Sequence, residues 1–222
     1  MASFPVDLAQ VPEPVRKAIA NHLLETRPAR APNHRAELRA TTNVITALIE
    51  TPDSVLQKLA LSIMQVTGAD SAGVSLAGRE GGIRVFLWQA AVGLFERYLG
   101  GVVKYDESPC GSVMDADATM LMVDPASVYA TAAMVQPPMR EALMVPFHVD
   151  GRVVGTVWAI SQSSKVFDAE DARLVRSLSK LAALAYQVLI KMGDLELLSR
   201  TVKLGADDSV DRRKEEAPRR ES

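Results

Sequence analysis

An α+β fold is what this 222-residue sequence predicts, and three observations carry that reading. The apolar residues repeat at helical spacing before Gly68 and again after Phe167, at the two ends of the chain. Between them the period changes to that of strands. Two strand pairs are closed by short turns, Arg79-Glu80-Gly81-Gly82 and Asp150-Gly151, which favours antiparallel hairpins over crossover connections.

The elements follow in order. Pro5, Pro12, Pro14, Pro28 and Pro32 cut residues 1–34 into pieces. One short helical stretch is left, Val15 to Glu25, with Val15, Ile19 and Leu23 on one side. From Arg35 to Glu50, the positions Leu38, Val44, Ile45, Leu48 and Ile49 predict a second helix that stops near Thr51-Pro52. Asp53 is the expected cap of a third, with Val55, Leu56, Leu59, Ile63 and Val66 on one face and Gly68 as its stop. Strands are expected at 71–78 and 83–93. An irregular middle follows, with short helical turns at 94–99 and from Cys110 to Met114, a strand from Thr119 to Val123, and loop or helix from Pro125 to Ala133. The strands 142–149 and 153–161 form the clearest hairpin. On the second of these, alternation places Val154, Thr156, Trp158 and Ile160 on one face and Gly155, Val157 and Ala159 on the other. Acidic residues at Asp168, Glu170 and Asp171 open the last helix at the positive end of its dipole. Along that helix Leu174, Leu178, Leu181, Ala185, Val188, Met192 and Leu195 keep an a/d register, a coiled-coil signal and the candidate dimerisation stripe. Covering a sheet also requires an apolar stripe, so its first half has a second explanation.

Composition bounds the function. The hydrophobic share is 48% and the charged share 23%, enough apolar material for a core without metals or disulfides. A formal charge of −2 leaves no electrostatic footprint for nucleic acid or an anionic membrane. No apolar run approaches the ~18 residues a membrane span needs. No secretory signal is visible at the start. Cys110 is the single cysteine, which excludes an intrachain disulfide framework and fits a cytoplasmic location.

Four stretches, in this order and spacing, resemble a GAF domain: Ser71–Leu76 (SAGVSL), Asp106–Asp115 (DESPCGSVMD), Glu141–Ile160 (EALMVPFHVDGRVVGTVWAI) and Phe167–Leu178 (FDAEDARLVRSL). They look like the GAF modules of bacterial sensor histidine kinases. The resemblance implies an antiparallel sheet with the N- and C-terminal helices packed on one face and a ligand cavity on the other. It divides the chain into a Pro-rich extension (1–34), a connecting helix (35–52), the GAF domain (53–190), a helical extension that is a coiled-coil candidate (191–204) and a tail expected to be disordered (205–222). Family members bind cyclic nucleotides, tetrapyrroles, haem, amino-acid derivatives or nothing known, so cofactor and ligand stay unknown.

The candidate ligand-binding residues are Trp88, Tyr98, Cys110, Ser112, Met122 and His148. Cys110 sits where a helix would start, a setting that lowers a thiol pKa and suits redox sensing, metal or haem ligation, or pigment attachment. The plainer account is a small buried residue beside the cavity wall. The free methionine-R-sulfoxide reductases of this family need a nucleophilic and a resolving cysteine, and one cysteine argues against that enzyme. No Cys-His pair supports bilin attachment. Lys165, Phe167 and Asp171 match part of the cyclic-nucleotide signature, whose Asn and Glu are missing, so a structural Lys165–Asp171 pair is expected. Asp106, Glu107, Asp115, Asp117 and Asp124 read as a solvated acidic loop, matching no calcium loop.

No phosphoacceptor-histidine box, ATP lid, cyclase signature or DNA-binding motif accompanies the domain. The expectation is therefore a stand-alone sensory or regulatory protein, not an enzyme. It would bind a small molecule, dimerise through its helices and report to a separate histidine kinase or response regulator. A ligand-free scaffold and a Cys110-dependent redox enzyme are the alternatives.

Overall fold

The computed structural model describes residues 4–7, 9 and 11–192. The tail from 205 and all but the first two residues of the expected 191–204 extension lie outside them.

Two short helices, α1 (Glu13–Arg16) and α2 (His22–Thr26), begin the described chain. The single helix expected from Val15 to Glu25 is corrected here, because residues 18–20 are extended. Ala20 N–H donates to the Leu121 carbonyl, and Val123 N–H donates to the Ala18 carbonyl, both at 2.8 Å. Asn21 locks the junction: its Oδ1 accepts from Leu121 N–H and its Nδ2 donates to the Thr119 carbonyl, each at 2.8 Å. A pairing partner one hundred residues away thus overrides local helical spacing.

Helix α3 (His34–Glu50) is capped by Asn33, whose Oδ1 accepts from Ala36 N–H at 3.0 Å. A 3₁₀ turn at Pro52–Ser54 leads into α4 (Val55–Thr67), whose capping position is Ser54 rather than Asp53, because the proline starts a turn of its own. Gly68 ends α4 in the left-handed conformation, φ 67°. Strands β1 (Ser71–Glu80) and β2 (Ile83–Gly93) form the first hairpin. The irregular middle contains a 3₁₀ turn at Glu96–Tyr98, β3 (Val102–Lys104), α5 (Pro109–Asp115), β4 (Met120–Val123) and α6 (Ala130–Ala133). Strands β5 (Glu141–Val149) and β6 (Arg152–Ser161) flank Asp150 and Gly151, both at positive φ as the turn pair requires. The long helix α7 (Ala169–Met192) closes the described chain.

All six strands join one antiparallel sheet in the order β3-β2-β1-β6-β5-β4. Each face carries its own core. One is aliphatic and packed by α3, α4 and α7, around Leu59, Ile63, Val74, Val157 and Leu178. The other is rich in aromatic and methionine side chains and is covered by the irregular middle. Two bulges adjust the alternation. Val154 is passed over in the β5–β6 pairing, which turns it to the helical face, away from Thr156, Trp158 and Ile160. Gln89 is passed over between β1 and β2, so Ala90 and Val92 face the helices while Phe86 and Trp88 face the other layer.

The N-terminal segment is tied to the sheet and to the entry of α7 by charge. Arg27 donates to both Glu141 carboxylate oxygens, at 2.6 and 3.0 Å, and to the Phe167 carbonyl at 2.7 Å. Arg30 and Lys165 each approach the fully buried Asp171 carboxylate at 2.6 Å. Glu141 and Asp171 are therefore buried acids with cationic partners, the arrangement that buried charge requires. The expected Lys165–Asp171 pair is present, with Arg30 as its third member.

Candidate functional site

The cover over the second face is built from short pieces that hold one another. Ser108 caps α5, its Oγ accepting from Cys110 N–H at 3.3 Å, and Pro109 occupies the first helical turn. Thr131 Oγ1 donates to the Glu107 carbonyl, which joins α6 to the approach of α5. Ser112 and Tyr129 share a hydrogen bond of 2.6 Å between their hydroxyls, and Tyr105 donates to Asp115 at 2.9 Å. Burial pushes the Tyr129 hydroxyl up to about 12, so it is neutral at neutral pH.

Under this cover lies an apolar cavity of about 40 Å³. Its floor is the sheet: Trp88 from β2, Ala142 and Met144 from β5, Trp158 and Ile160 from β6. Its roof is Cys110 at the start of α5 and Thr131, Ala132 and Val135 around α6. Phe95 is the hub of the aromatic wall, with ring centroids 5.8 Å from Trp88, 5.3 Å from Tyr98 and 5.3 Å from Trp158. A water needs roughly 10–15 Å³ of such space, so the cavity as it stands holds a few waters or a very small molecule.

A polar floor lies behind the apolar wall. Trp158 Nε1–H donates to Ser75 Oγ at 2.9 Å, and Cys110 Sγ lies 3.8 Å from the same oxygen. Thr156 Oγ1 is buried beside them without a hydrogen-bond partner in the described structure. The expectation that a helix start lowers the Cys110 thiol pKa is corrected. Burial pushes this thiol up, against the neighbouring Thr156, Ser108 and Ser75 hydroxyls, which pull the other way. Cys110 is a neutral thiol, 5% exposed, set in the cavity roof.

The candidate residues separate into three places. Trp88 and Cys110 line the cavity. Tyr98 stands behind Trp88 with its ring edge-on at 5.8 Å, and its hydroxyl accepts from Gln136 N–H at 3.3 Å. Met122 is fully buried in the same layer, while Ser112 faces Tyr129. His148 is elsewhere, at the end of β5, with Nε2 2.8 Å from Asp117 Oδ1. Trp158, Phe95 and Met144 are among the cavity residues that the candidate set omits. Alternation did place Trp158 with Thr156 and Ile160, and the bare Gly73 opposite gives the further signal. A Cβ on Gly73 would lie 2.1 Å from the Trp158 ring, so only glycine leaves space for the indole.

On α7, Leu178 and Ala185 are buried in the aliphatic core, Leu174 is buried, Leu181 and Val188 are partly buried, and Met192 is half exposed. Leu195 lies outside the described residues. Leu184 is exposed beside them, and Leu38, Ile45 and Ile49 are exposed on α3. The acidic middle is engaged in surface pairs, Asp106 with Arg84 and Glu107 with Lys104. Among the described residues no group of His, Cys, Asp and Glu could hold a metal ion, and no helix is long and apolar enough to cross a membrane.

Comparison with known proteins places this geometry. A family model described as a GAF domain matches residues 50–187. Comparison with curated proteins gives no match. Among solved structures, the chain is similar to the GAF domain of an Acinetobacter phosphoenolpyruvate-protein phosphotransferase. The identity is 14% and the TM-score 0.62, covering 75% of this chain and 100% of that one. It is also similar to the free methionine-R-sulfoxide reductase of Neisseria meningitidis solved with its substrate, at 18% identity and TM-score 0.57, covering 74% and 97%. A third likeness is to the GAF-B domain of DevS from Mycobacterium smegmatis, at 18% identity and TM-score 0.51, covering 65% and 99%. At these identities the likeness is one of fold.

Proposed function

The chain belongs to the GAF domain family, and from that membership we propose that it is a sensory or regulatory protein that captures a small apolar molecule under the segment 94–138. It dimerises through α3 and α7 and reports to a separate partner, a histidine kinase or response regulator. The observation that carries this reading is strand β6. Its Trp158 and Ile160 form the cavity floor while Val157 and Ala159 pack against the helices, so one strand touches both layers. A ligand that lifts the cover or tilts Trp158 therefore acts on the packing of α4 and α7 without an intermediary. The exposed Leu38, Ile45, Ile49 and Leu184 supply an apolar surface for a second copy. The neutral, buried Cys110 supports a regulatory rather than an enzymatic role.

The cavity volume of about 40 Å³ favours one other reading, a ligand-free dimerisation scaffold. Native mass spectrometry with a visible absorption spectrum, on protein purified from its own cells, separates the two. A dimer carrying extra mass that is released on denaturation is the expected result. A dimer of bare polypeptide transfers the assignment to the scaffold. A monomer overturns both, and where the parent is a dimer, Leu181→Glu or Val188→Glu is expected to weaken it.

A further inference from the structure

A roomier concavity lies away from that cavity, beside α7. It is a groove of about 530 Å³, within the ~300–1,000 Å³ usual for small-molecule sites. The N-terminal segment, residues 117–119 before β4, the end of β5 and α7 enclose it. Phe147 and Pro146, both buried, give it an apolar wall. Arg176 and Lys180 stand on the opposite wall, four residues apart and hence one above the other on the same face of α7.

These two cations differ from the one before them. Arg173 is held by Glu37 and Glu170, with closest approaches of 2.7 Å. Arg176 and Lys180 are exposed and have no hydrogen bond or ion pair to a carboxylate among the described residues. The Arg176 guanidinium stands over the face of the Phe4 ring at 5.7 Å. Among the described residues the groove has a single carboxylate, Asp117, engaged at the rim by His148 at 2.8 Å. The groove thus sets two uncommitted positive charges across from an apolar wall, with its one acid turned to a partner.

We propose that this groove is a second binding site, for a small organic anion: a carboxylate or phosphate head on an aromatic or aliphatic body. The head meets the Arg176 guanidinium and the Lys180 ammonium. The body lies along Phe147 and Pro146, beside Phe4. Such a ligand bridges the N-terminal segment and α7, and reaches the helical layer without passing through the sheet.

Amide chemical shifts, titrated with phenyl phosphate as the probe, test this assignment. The expected result is a saturable shift at Thr119, Phe147, Lys180 and Ala183, with the Trp88 and Cys110 amides unmoved. Arg176→Gln and Lys180→Gln should each weaken binding roughly fivefold, and about 0.5 M NaCl should weaken it further. Both side chains are exposed, so neither substitution threatens the fold. Absence of a saturable shift, shifts at the cavity residues, or affinity untouched by both substitutions would overturn the proposal. Equal affinity for inorganic phosphate would reduce the groove to a bare anion patch. Tighter binding of an acidic hexapeptide would make it a protein-docking surface, and either result also overturns the assignment.

Discussion

The two faces of the sheet are built on opposite plans. The helical face is aliphatic and periodic, closed by two helices of 17 and 24 residues with a third of 13 between them. The cavity face is closed by pieces of three to seven residues, over aromatic rings and methionines. Long helices hold their shape through their own ladders, and branched aliphatic residues interlock in few ways. Short turns stitched by side-chain hydrogen bonds can open one at a time, and methionine and stacked rings repack at small cost. The contrast assigns rigidity to one side of β6 and adaptability to the other.

Substitutions can break or sharpen that contrast. The largest effect is expected at Leu178→Ala on the helical face, where a fully buried side chain leaves a hole its neighbours cannot fill. A loss of about 3–4 kcal/mol is expected in urea unfolding, and a loss near 1 would show that this face is not rigid. Gly73→Ala comes next. Its new methyl must displace the Trp158 ring or the Ala90 carbonyl, costing about 2–3 kcal/mol. In a Trp88→Phe background the remaining indole emission should change, and an unchanged spectrum with unchanged stability refutes the close packing. Met144→Ala enlarges the cavity and should cost about 2 kcal/mol. If the cavity face is adaptable, an apolar filler such as benzene raises the melting temperature of this variant saturably and leaves the parent unmoved.

The smallest effect is a pH dependence within the helical layer. The Arg173 hydrogen bond to Glu37 holds this carboxyl below its ordinary value of 4.5, outweighing the opposing effect of burial. A folded-state pKa below the unfolded one means that the stabilisation is present above pH ~4.5 and is lost as pH falls through the lowered value. Glu37→Gln should therefore cost about 0.5–1 kcal/mol at pH 7, and the difference should vanish once pH has fallen through the lowered value. A gap that persists in acid would point to lost packing instead.

The same contrast explains what could be read in the sequence. Both long hairpins were legible because their turns are local: Gly81-Gly82 and Asp150-Gly151 fix strand ends by positive φ. Helices α3, α4 and α7 were legible from period and from Gly68. The extended residues 18–20 were not, since their hydrogen bonds go to β4 and no local signal records a partner so far away. The place of Trp88 was half legible. Counting back from Ala90 by strict alternation puts it among the helices, and only the bulge at Gln89 delivers it to the cavity. Cys110 misled for a related reason. A helix start can be seen in Ser108-Pro109, whereas the burial that dominates the thiol depends on how the whole cover settles. On α7 the a/d register runs through Leu178 and Ala185, which the aliphatic core under the helices already buries.

The bridge at residues 18–20 bears on where the molecule can be cut. The family match begins at residue 50, which invites trimming to that boundary. A fragment of residues 50–187 would bare the outer backbone of β4 and would strip Glu141 and Asp171 of Arg27 and Arg30. Asp171 would keep Lys165, but an unpaired strand edge beside a buried Glu141 that has lost its cation is a template for fibrillar stacking and insolubility. The leading segment thus acts as a built-in guard against self-assembly along the sheet.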